Sequence, residues 1–176
     1  QPGFKDRVVC PYCGSSPRFE WSLDLPWSEV QEIVRRELKR AVPIWQNAKL
    51  IDVRINKRSG KIQRVQEIVL IGEATKVGAT TLSPLTHRLT GAQFRKWMGS
   101  SRWRSTAFEL KREGGILKAT GHGYGHGVGM CQWGAKVMAE QGKRFEEILH
   151  FYYPKGHLAH WPPRGDASRD KVDGIH

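Results

Sequence analysis

Apolar residues follow a helical period in the stretch between Pro26 and Pro43. The positions that share one face are Val30, Ile33, Val34, Leu38 and Ala41. Ser28 and Gln31 have the spacing of a capping box, which is typical of a helix start. The pattern therefore predicts a helix that opens over residues 26–31 and is stopped by Pro43.

Shorter helical patterns occur further along the chain. Residues 90–98 fit a short helix, and another is predicted from Met130 onward, with Gly142 where a C-terminal cap belongs. The apolar stripe of that second helix comprises Met130, Val137 and Met138. A last helix is predicted for residues 145–153, and Pro154 ends it. Its apolar face comprises Phe145, Ile148, Leu149 and Tyr152.

Alternating and β-branched positions predict two hairpins. One joins residues 50–55 to residues 62–71 through a turn at 57–60. The other joins residues 107–112 to residues 116–120 around Glu113-Gly114-Gly115. Residues 1–24 contain Pro2, Pro11, Gly14 and Pro17 as breakers and are predicted to be a loop. The fold class predicted from these elements is α+β.

The second hairpin leads into the glycine loop, residues 121–129, in which five glycines alternate with other residues. Ordering a glycine costs about 0.5–1 kcal/mol more than ordering an alanine, so this composition needs a reason other than packing. Glycine lets the backbone approach a ligand closely and adopt positive φ. The loop therefore indicates a site built from backbone shape and from His122, Tyr124 and His126. A dinucleotide site is disfavoured, because no βαβ unit surrounds the glycines.

The chain has three cysteines. Cys10-x-x-Cys13 has the spacing that supplies half of a tetrahedral zinc site, and Cys131 is the obvious third ligand. A disulfide between Cys10 and Cys13, or buried thiols without a metal, are the alternatives. Four protein ligands would leave no open position for water, so a zinc ion here would be structural.

Composition limits the partners. The 176 residues are one domain's worth of chain, and 29 Lys and Arg against 17 Asp and Glu give a formal charge of +12. This excess favours nucleic acid, an anionic membrane or an acidic cell wall. No apolar run approaches the roughly 18–20 residues of a membrane span, and residues 1–9 lack the apolar core of a signal peptide. Basic and aromatic residues mix over residues 95–104, which keeps a zinc-knuckle nucleic-acid binder as an alternative.

Residues 121–156, GHGYGHGVGMCQWGAKVMAEQGKRFEEILHFYYPKG, resemble the signature of the stage II sporulation protein D family. These are bacterial peptidoglycan lytic transglycosylases related to the amidase-enhancer LytB proteins. Weaker similarity covers residues 10–13, 16–21 and 89–95. The resemblance implies the C-terminal half of such a protein over residues 1–163, followed by a polar tail over residues 164–176, and an extracytoplasmic location.

The resemblance also implies roles for individual residues. His126 matches the family's loop histidine and is expected in the active site, where it positions the sugar or the acid; packing against a backbone carbonyl is the alternative. Substrate contacts are expected from Tyr124, Gly125, Gly127 and Gln132. Trp133 is more readily explained by core packing than by sugar stacking.

Cys131 and His122 depart from the residues that the family has more often at these positions, Ser and Arg or Lys. Because these departures occur together with Cys10 and Cys13, the predicted zinc ligands are Cys10, Cys13, Cys131 and His122. His126 is the rival fourth ligand. The expected architecture is thus β-hairpins and short helices around a Gly/His-rich loop, stapled by structural zinc.

The resemblance implies binding of peptidoglycan glycan strands and lytic cleavage to 1,6-anhydro-muramyl products. No segment of the sequence matches the family's catalytic glutamate, and neither Glu20 nor Glu73 fits it. The acid is therefore expected from an upstream segment. A non-catalytic wall-binding module, or one that activates a cell-wall amidase, is the alternative within the same resemblance.

Overall fold

The computed structural model describes residues 10–125, 127 and 129–159. A short 3-10 turn at Pro11–Cys13 precedes the regular elements. The described strands are β1 (Glu20–Pro26), β2 (Trp45–Ser59), β3 (Arg64–Lys76), β4 (Leu82–Thr90), β5 (Ala107–Glu113) and β6 (Ile116–His122), and the helices are α1 (Trp27–Ala41), α2 (Gly91–Met98), α3 (Gln132–Glu140) and α4 (Phe145–Tyr152). The strands form two three-stranded antiparallel sheets, in the orders β1-β6-β5 and β2-β3-β4. The predicted α+β class is confirmed.

Helix α1 forms where its apolar period predicts, but its start differs from the prediction. Trp27, Val30, Ile33, Val34 and Leu38 are buried, whereas Ala41 is exposed. The predicted capping box is wrong, because the helix begins at Trp27 and its Pro26 cap makes no side-chain hydrogen bond. Gln31 instead donates from Nε2 to the Leu50 carbonyl at 2.8 Å, and this bond ties α1 to β2.

The sheet β2-β3-β4 contains the first predicted hairpin, with longer strands than expected. Its turn lies at residues 60–63, where Gly60 has φ 75° and Gln63 donates to the Gly60 carbonyl. Strand β4 was not predicted, because Leu82, Leu85 and Leu89 are too widely spaced to show a period of two. Its pairing with β3 fixes it as an edge strand.

The sheet β1-β6-β5 corrects the prediction that residues 1–24 are a loop. In β1, Trp21 and Leu25 are buried while Glu20, Ser22 and Asp24 are exposed, so one face is apolar. The strand lies antiparallel to β6 over its full length. The second predicted hairpin, β5–β6, is confirmed and extends to His122.

The remaining helices have the predicted positions. Thr90 caps α2 in a capping box with Gln93. Helix α3 begins after Cys131, so Met130 precedes it and does not share its apolar stripe. Helix α4 buries Ile148 and Tyr152, whereas Phe145 is exposed.

Three packed clusters organise the described residues, and one of them comprises Leu38, Ala74 and Leu85. The main core brings residues of both sheets together with α1 and α2 and includes Trp21, Ile33, Ile68, Phe94, Trp103 and Phe108. A smaller cluster holds Met138, Ile148 and Tyr152 against Cys10 and Cys131. Within the described part of the chain, no helix is long and apolar enough to cross a membrane.

Candidate metal centre and ligand cavity

The structure brings the three cysteines of the sequence together. Cys10 precedes the 3-10 turn, Cys13 ends it, and Cys131 caps α3. Their sulfur atoms all lie within 4.8 Å of one another, and the Sγ atoms of Cys13 and Cys131 are 3.0 Å apart although 118 positions separate the two residues. This thiol group is a donor set that could hold a metal ion.

The thiol group lies in the smaller cluster. The Tyr152 hydroxyl is 3.1 Å from Cys10 Sγ, and the Gly134 amide donates to Cys131 Sγ at 3.4 Å. A Cβ added at Gly134 would overlap both the Tyr152 hydroxyl and Cys10 Sγ. The glycine of α3 is therefore what lets the helix approach the thiols so closely.

Burial controls the protonation of this group. Desolvation, and next to it the hydrogen-bond contacts with Cys10 and Cys131, raise the pKa of the Cys13 thiol far above its ordinary value. Burial and the contact with Cys10 raise the pKa of Tyr152 as well. The Cys13 thiol is therefore held in its neutral form, and a bound cation would displace its proton.

His122 lies apart from the thiol group. Among the described residues, the set of potential ligand atoms within 4.8 Å contains only the three cysteines. His122 ends β6 opposite Glu20 and Ala107, and its ring meets Phe19 edge-on at 5.8 Å. Its role as fourth ligand stays a prediction. His126, predicted as the catalytic residue and as the rival ligand, lies outside the described residues, as does the predicted tail over 164–176.

The residues predicted to contact substrate surround the glycine loop. Tyr124 is 59% exposed, and the Arg18 guanidinium lies 5.8 Å from its ring centre. Gln132 is exposed at the first position of α3. Tyr124 and Gln132 are thus both accessible to a ligand.

Two glycines of the loop have positive φ and lie beside arginine residues. The Gly125 amide donates to the Arg104 carbonyl at 2.7 Å. Gly127 has φ 72°, and a Cβ there would overlap the Arg64 guanidinium. Both observations agree with a loop whose function depends on backbone shape.

Trp133 and three residues of the basic–aromatic stretch, Arg95, Arg102 and Trp103, make contacts within the protein. Trp133 is half-buried and donates from Nε1 to Ser15 Oγ at 3.2 Å. Trp103 is fully buried, and Arg95 donates to its carbonyl at 2.7 Å. Arg102 pairs with Glu29. The stretch 95–104 therefore does not present Trp103 as a stacking platform for nucleic acid.

The structure also shows a surface cavity that local sequence patterns did not indicate. It is shallow, has a volume of about 490 Å³, and is lined by Glu20, Trp21, Ser22, Arg104, Thr120, Gly121 and His122. The pairing of β1 with β6 creates it, since Glu20 lies opposite His122 and Trp21 opposite Gly121. The sequence could have indicated this cavity only if β1 had been predicted as a strand that pairs with β6.

Together the fold and the site define an α+β domain in which a glycine loop leads into a cysteine group at a helix start. No protein-family model matches the chain. A stage II sporulation protein D from Bacillus amyloliquefaciens is 48% identical over 66 residues, covering 38% of this chain and 18% of that protein. An amidase enhancer from Bacillus subtilis (strain 168) is 37% identical over 81 residues, covering 46% of this chain and 12% of that protein.

The stage II sporulation protein D of Bacillus subtilis (strain 168) is 43% identical over 65 residues, covering 37% of this chain and 18% of its own length. The chain thus matches less than a fifth of the length of each of these three relatives. The predicted resemblance is confirmed: the chain has curated homologues named stage II sporulation protein D and amidase enhancer.

Proposed function

We propose that this chain is the glycan-binding part of an extracytoplasmic cell-wall protein of the stage II sporulation protein D type. The observation that carries the proposal is the glycine loop, whose backbone approaches Arg64 and Arg104 closely and which presents Tyr124 to solvent. Relatives named stage II sporulation protein D and amidase enhancer support a role at the cell wall. The ligand of the proposed site is the glycan strand of peptidoglycan.

In this proposal each residue of the site makes a different contact with the sugar. The Tyr124 ring stacks on the apolar face of a sugar, and the Gln132 amide hydrogen-bonds hydroxyl or N-acetyl groups. Gly125, where an added Cβ would meet nothing within 4 Å, leaves room for the sugar ring, and the positive φ of Gly127 shapes the backbone beside it. His126 positions the sugar or the catalytic acid.

Lytic cleavage needs a carboxylic acid that protonates the glycosidic oxygen as the C–O bond breaks. The muramyl 6-hydroxyl then attacks the anomeric carbon, gives its proton to the carboxylate left by the acid and closes the 1,6-anhydro ring, so no water and no second carboxylate nucleophile are consumed. In our proposal an upstream segment supplies the acid. Glu73 pairs across the sheet with Lys49 and Pro84, and Glu20 is exposed at the cavity.

A titration tests glycan binding. Chitooligosaccharide is expected to bind at both low and moderate salt, whereas DNA bound by charge alone should dissociate as salt rises, because phosphate contacts release counterions. Tyr124→Ala should weaken the sugar about tenfold, the loss of roughly 1–1.5 kcal/mol of ring contact. Phe145→Ala, which removes another exposed aromatic ring, is the matched control and should leave affinity unchanged. Tight, salt-sensitive DNA binding without any sugar binding would refute the proposal.

We further propose that Cys10, Cys13 and Cys131 hold structural zinc, with His122 as fourth ligand. Three thiols within 4.8 Å are a donor set that suits zinc, and the ion would join the 3-10 turn to α3. Cys10→Ser should lower zinc content and thermal stability together. Gly14→Ala, which changes the same segment without removing a thiol and whose added Cβ would meet nothing within 4 Å, is the control. Elemental analysis that finds no zinc, with all three thiols freely reactive, would rule the site out.

The relative named amidase enhancer favours a second candidate, in which this domain activates a cell-wall amidase without cutting glycan itself. The test is the rate of amide cleavage in purified peptidoglycan by an amidase with and without this chain. A rate that rises with the chain present, in the absence of any 1,6-anhydro product, would favour this candidate.

A further inference from the structure

Three exposed apolar residues lie together at one end of the sheet β2-β3-β4. Ile44 comes just before β2 and is 54% exposed, while Val77, just after β3, and Leu82, at the start of β4, are each 58% exposed. The Val77 amide donates to the Ile44 carbonyl at 2.9 Å, so these two residues extend the pairing of β2 with β3 by one position. We call Ile44, Val77 and Leu82 the apolar tip.

The side chains of the apolar tip share one face of the sheet. Side chains alternate between the two faces along a strand, and cross-strand partners share a face. Val77 lies two positions beyond Thr75, and Leu82 is the partner of Thr75 in β4. Ile44 lies opposite Val77. The three apolar side chains therefore form one surface and are not scattered single residues.

Positive charge flanks the apolar tip. Residues 38–49 and 74–86 contain four Lys or Arg and no Asp or Glu. The four cations, all exposed, are Lys39, Arg40, Lys49 and Lys76. Among the ion pairs of the described residues, Arg40 pairs with Glu37, whereas the three lysines have no acidic partner. This end of the sheet thus combines exposed apolar groups with uncompensated cations.

The backbone that carries the apolar tip is held in place. Thr75 donates from Oγ1 to the Gln46 carbonyl at 3.1 Å and accepts from Asn47 Nδ2 at 3.2 Å. The Lys76 ammonium lies 5.6 Å from the centre of the Trp45 ring, which packs against the cluster that joins α1 to this sheet. The apolar side chains are therefore presented by a fixed strand end, which lowers the entropy cost of binding.

A membrane surface matches this combination. Peripheral segments bind bilayers through apolar side chains at the boundary between headgroups and acyl chains, together with Lys and Arg that attract anionic lipids. A fluid bilayer accommodates side chains at a strand end without a preformed pocket, whereas a folded acidic protein would need a pocket that fits all three. The absence of carboxylates near the apolar tip removes repulsion from lipid phosphates.

We propose that the apolar tip docks on an anionic phospholipid surface, with Ile44, Val77 and Leu82 at the acyl boundary and the flanking cations on lipid phosphates. This interaction goes beyond the proposed glycan binding and does not depend on it. The opposite end of β3 begins at Arg64, which lies against Gly127 of the glycine loop. Because β3 has 13 residues and a strand rises about 3.3 Å per residue, a sheet standing on the apolar tip places the glycine loop about 40 Å from the lipid.

Cosedimentation of the full chain with vesicles tests the proposal. The protein should bind vesicles of phosphatidylcholine with an equal share of phosphatidylglycerol, and it should not bind phosphatidylcholine alone. The double variant Val77→Ser with Leu82→Ser should lower the partition constant at least about tenfold, because it removes two aliphatic side chains from the interface. Both residues are more than half exposed, so the variant should fold, and it should still bind chitooligosaccharide.

The other end of the same hairpin supplies matched controls. Residues 57–64 also contain four Lys or Arg and no acid, but Ile62, which is 39% exposed, is their single apolar residue. Ile62→Ser should leave vesicle binding unchanged. Lys76→Gln should lower the partition constant about fivefold at low salt, the size expected for one cation at an anionic surface. Lys61→Gln removes an exposed cation near Ile62 and should have a smaller effect.

Several results would overturn the proposal. Equal binding to neutral and anionic vesicles, or no binding to either, would exclude an anionic lipid surface as the partner. Wild-type binding by the double variant, or an equal loss in Ile62→Ser, would show that general positive charge holds the protein and that the apolar tip is not the contact. If poly-L-glutamate and not vesicles shifted the amide NMR signals of residues 44, 77 and 82, the partner would be an acidic protein.

Discussion

At the scale of single residues, Gly134 decides how closely α3 can approach the thiol group. Gly134→Ala would place a Cβ against the Tyr152 hydroxyl and Cys10 Sγ. Because overpacking of a tight site costs about 1–3 kcal/mol, we expect a lower melting temperature and a lower zinc content per chain. Thermal unfolding and elemental analysis of the same sample measure both.

Gly14→Ala is the matched control for this change. Gly14 follows Cys13 directly, has a helical φ of −60°, and a Cβ there would meet nothing within 4 Å. We expect this variant to keep its zinc and its stability. Equal losses of stability and zinc in both variants would contradict this explanation. They would show that any added methyl group near the cysteines is destabilising, and that the close approach at Gly134 is not the specific cause.

His87 makes the stability depend on pH. Its ring stacks on Trp97 at 6.1 Å between centres, and burial lowers its pKa below the ordinary 6.5. The unfolded chain therefore takes up a proton at a higher pH than the folded chain, so the contribution of His87 is present above about pH 6.5 and is lost as the pH falls through that value.

We expect the melting temperature to fall between about pH 7 and pH 5, and His87→Gln to reduce this fall because it removes the titrating group. His150→Gln, which removes an exposed histidine on α4, should leave the fall unchanged. An identical pH profile for His87→Gln and the wild type would contradict the assignment to His87.

At the scale of elements, the two helices α1 and α2 differ in how they begin. The Thr90 hydroxyl accepts from the Gln93 amide at 3.1 Å, and Gln93 in turn accepts from the Thr90 amide. Thr90→Ala should therefore cost about 1 kcal/mol of folding free energy, the typical value of a lost N-cap. Chemical denaturation measures it.

Ser28→Ala provides the comparison within the same protein. Ser28 lies inside the first turn of α1, where no side-chain cap bond forms, so the substitution should change stability by less than about 0.5 kcal/mol. A loss similar to that of Thr90→Ala would show that Ser28 caps α1 after all.

At the scale of the whole molecule, the proposed division between binding and catalysis predicts an activity difference. The 176-residue chain alone should release no 1,6-anhydro-muropeptides from purified peptidoglycan, because none of its carboxylates matches the family's acid. A chain extended upstream through that acid should release them. Chromatography of the soluble products measures both reactions.

His126→Ala in the extended protein should lower turnover sharply and leave the zinc content unchanged, since we assign His126 to positioning and not to the metal. Loss of zinc in this variant would move the fourth ligand from His122 to His126. Cleavage by the 176-residue chain alone would place the acid within it, with Glu20 at the surface cavity as the first residue to replace.

Sequence alone determined the features that depend on neighbours a few residues apart. The helical period predicted α1, the pattern over residues 90–98 predicted α2, and the glycines of 113–115 predicted the turn between β5 and β6. These signals are local because a helix or a tight turn closes its hydrogen bonds within the same short segment. The resemblance of residues 121–156 was likewise readable from their order alone.

Tertiary structure decided what depends on partners distant in the chain. Strand β1 exists because β6 pairs with it about a hundred positions later, and that pairing creates the cavity in which Glu20 meets His122 and Arg104. The spacing of Cys10 and Cys13 indicated a half site, but only the packing of α3 and α4 around Tyr152 brings Cys131 within 3.0 Å of Cys13. The hydrogen-bond partners of a strand, and the distant members of a ligand set, are supplied by other parts of the chain when the core packs. A short stretch of sequence therefore does not show where those partners are.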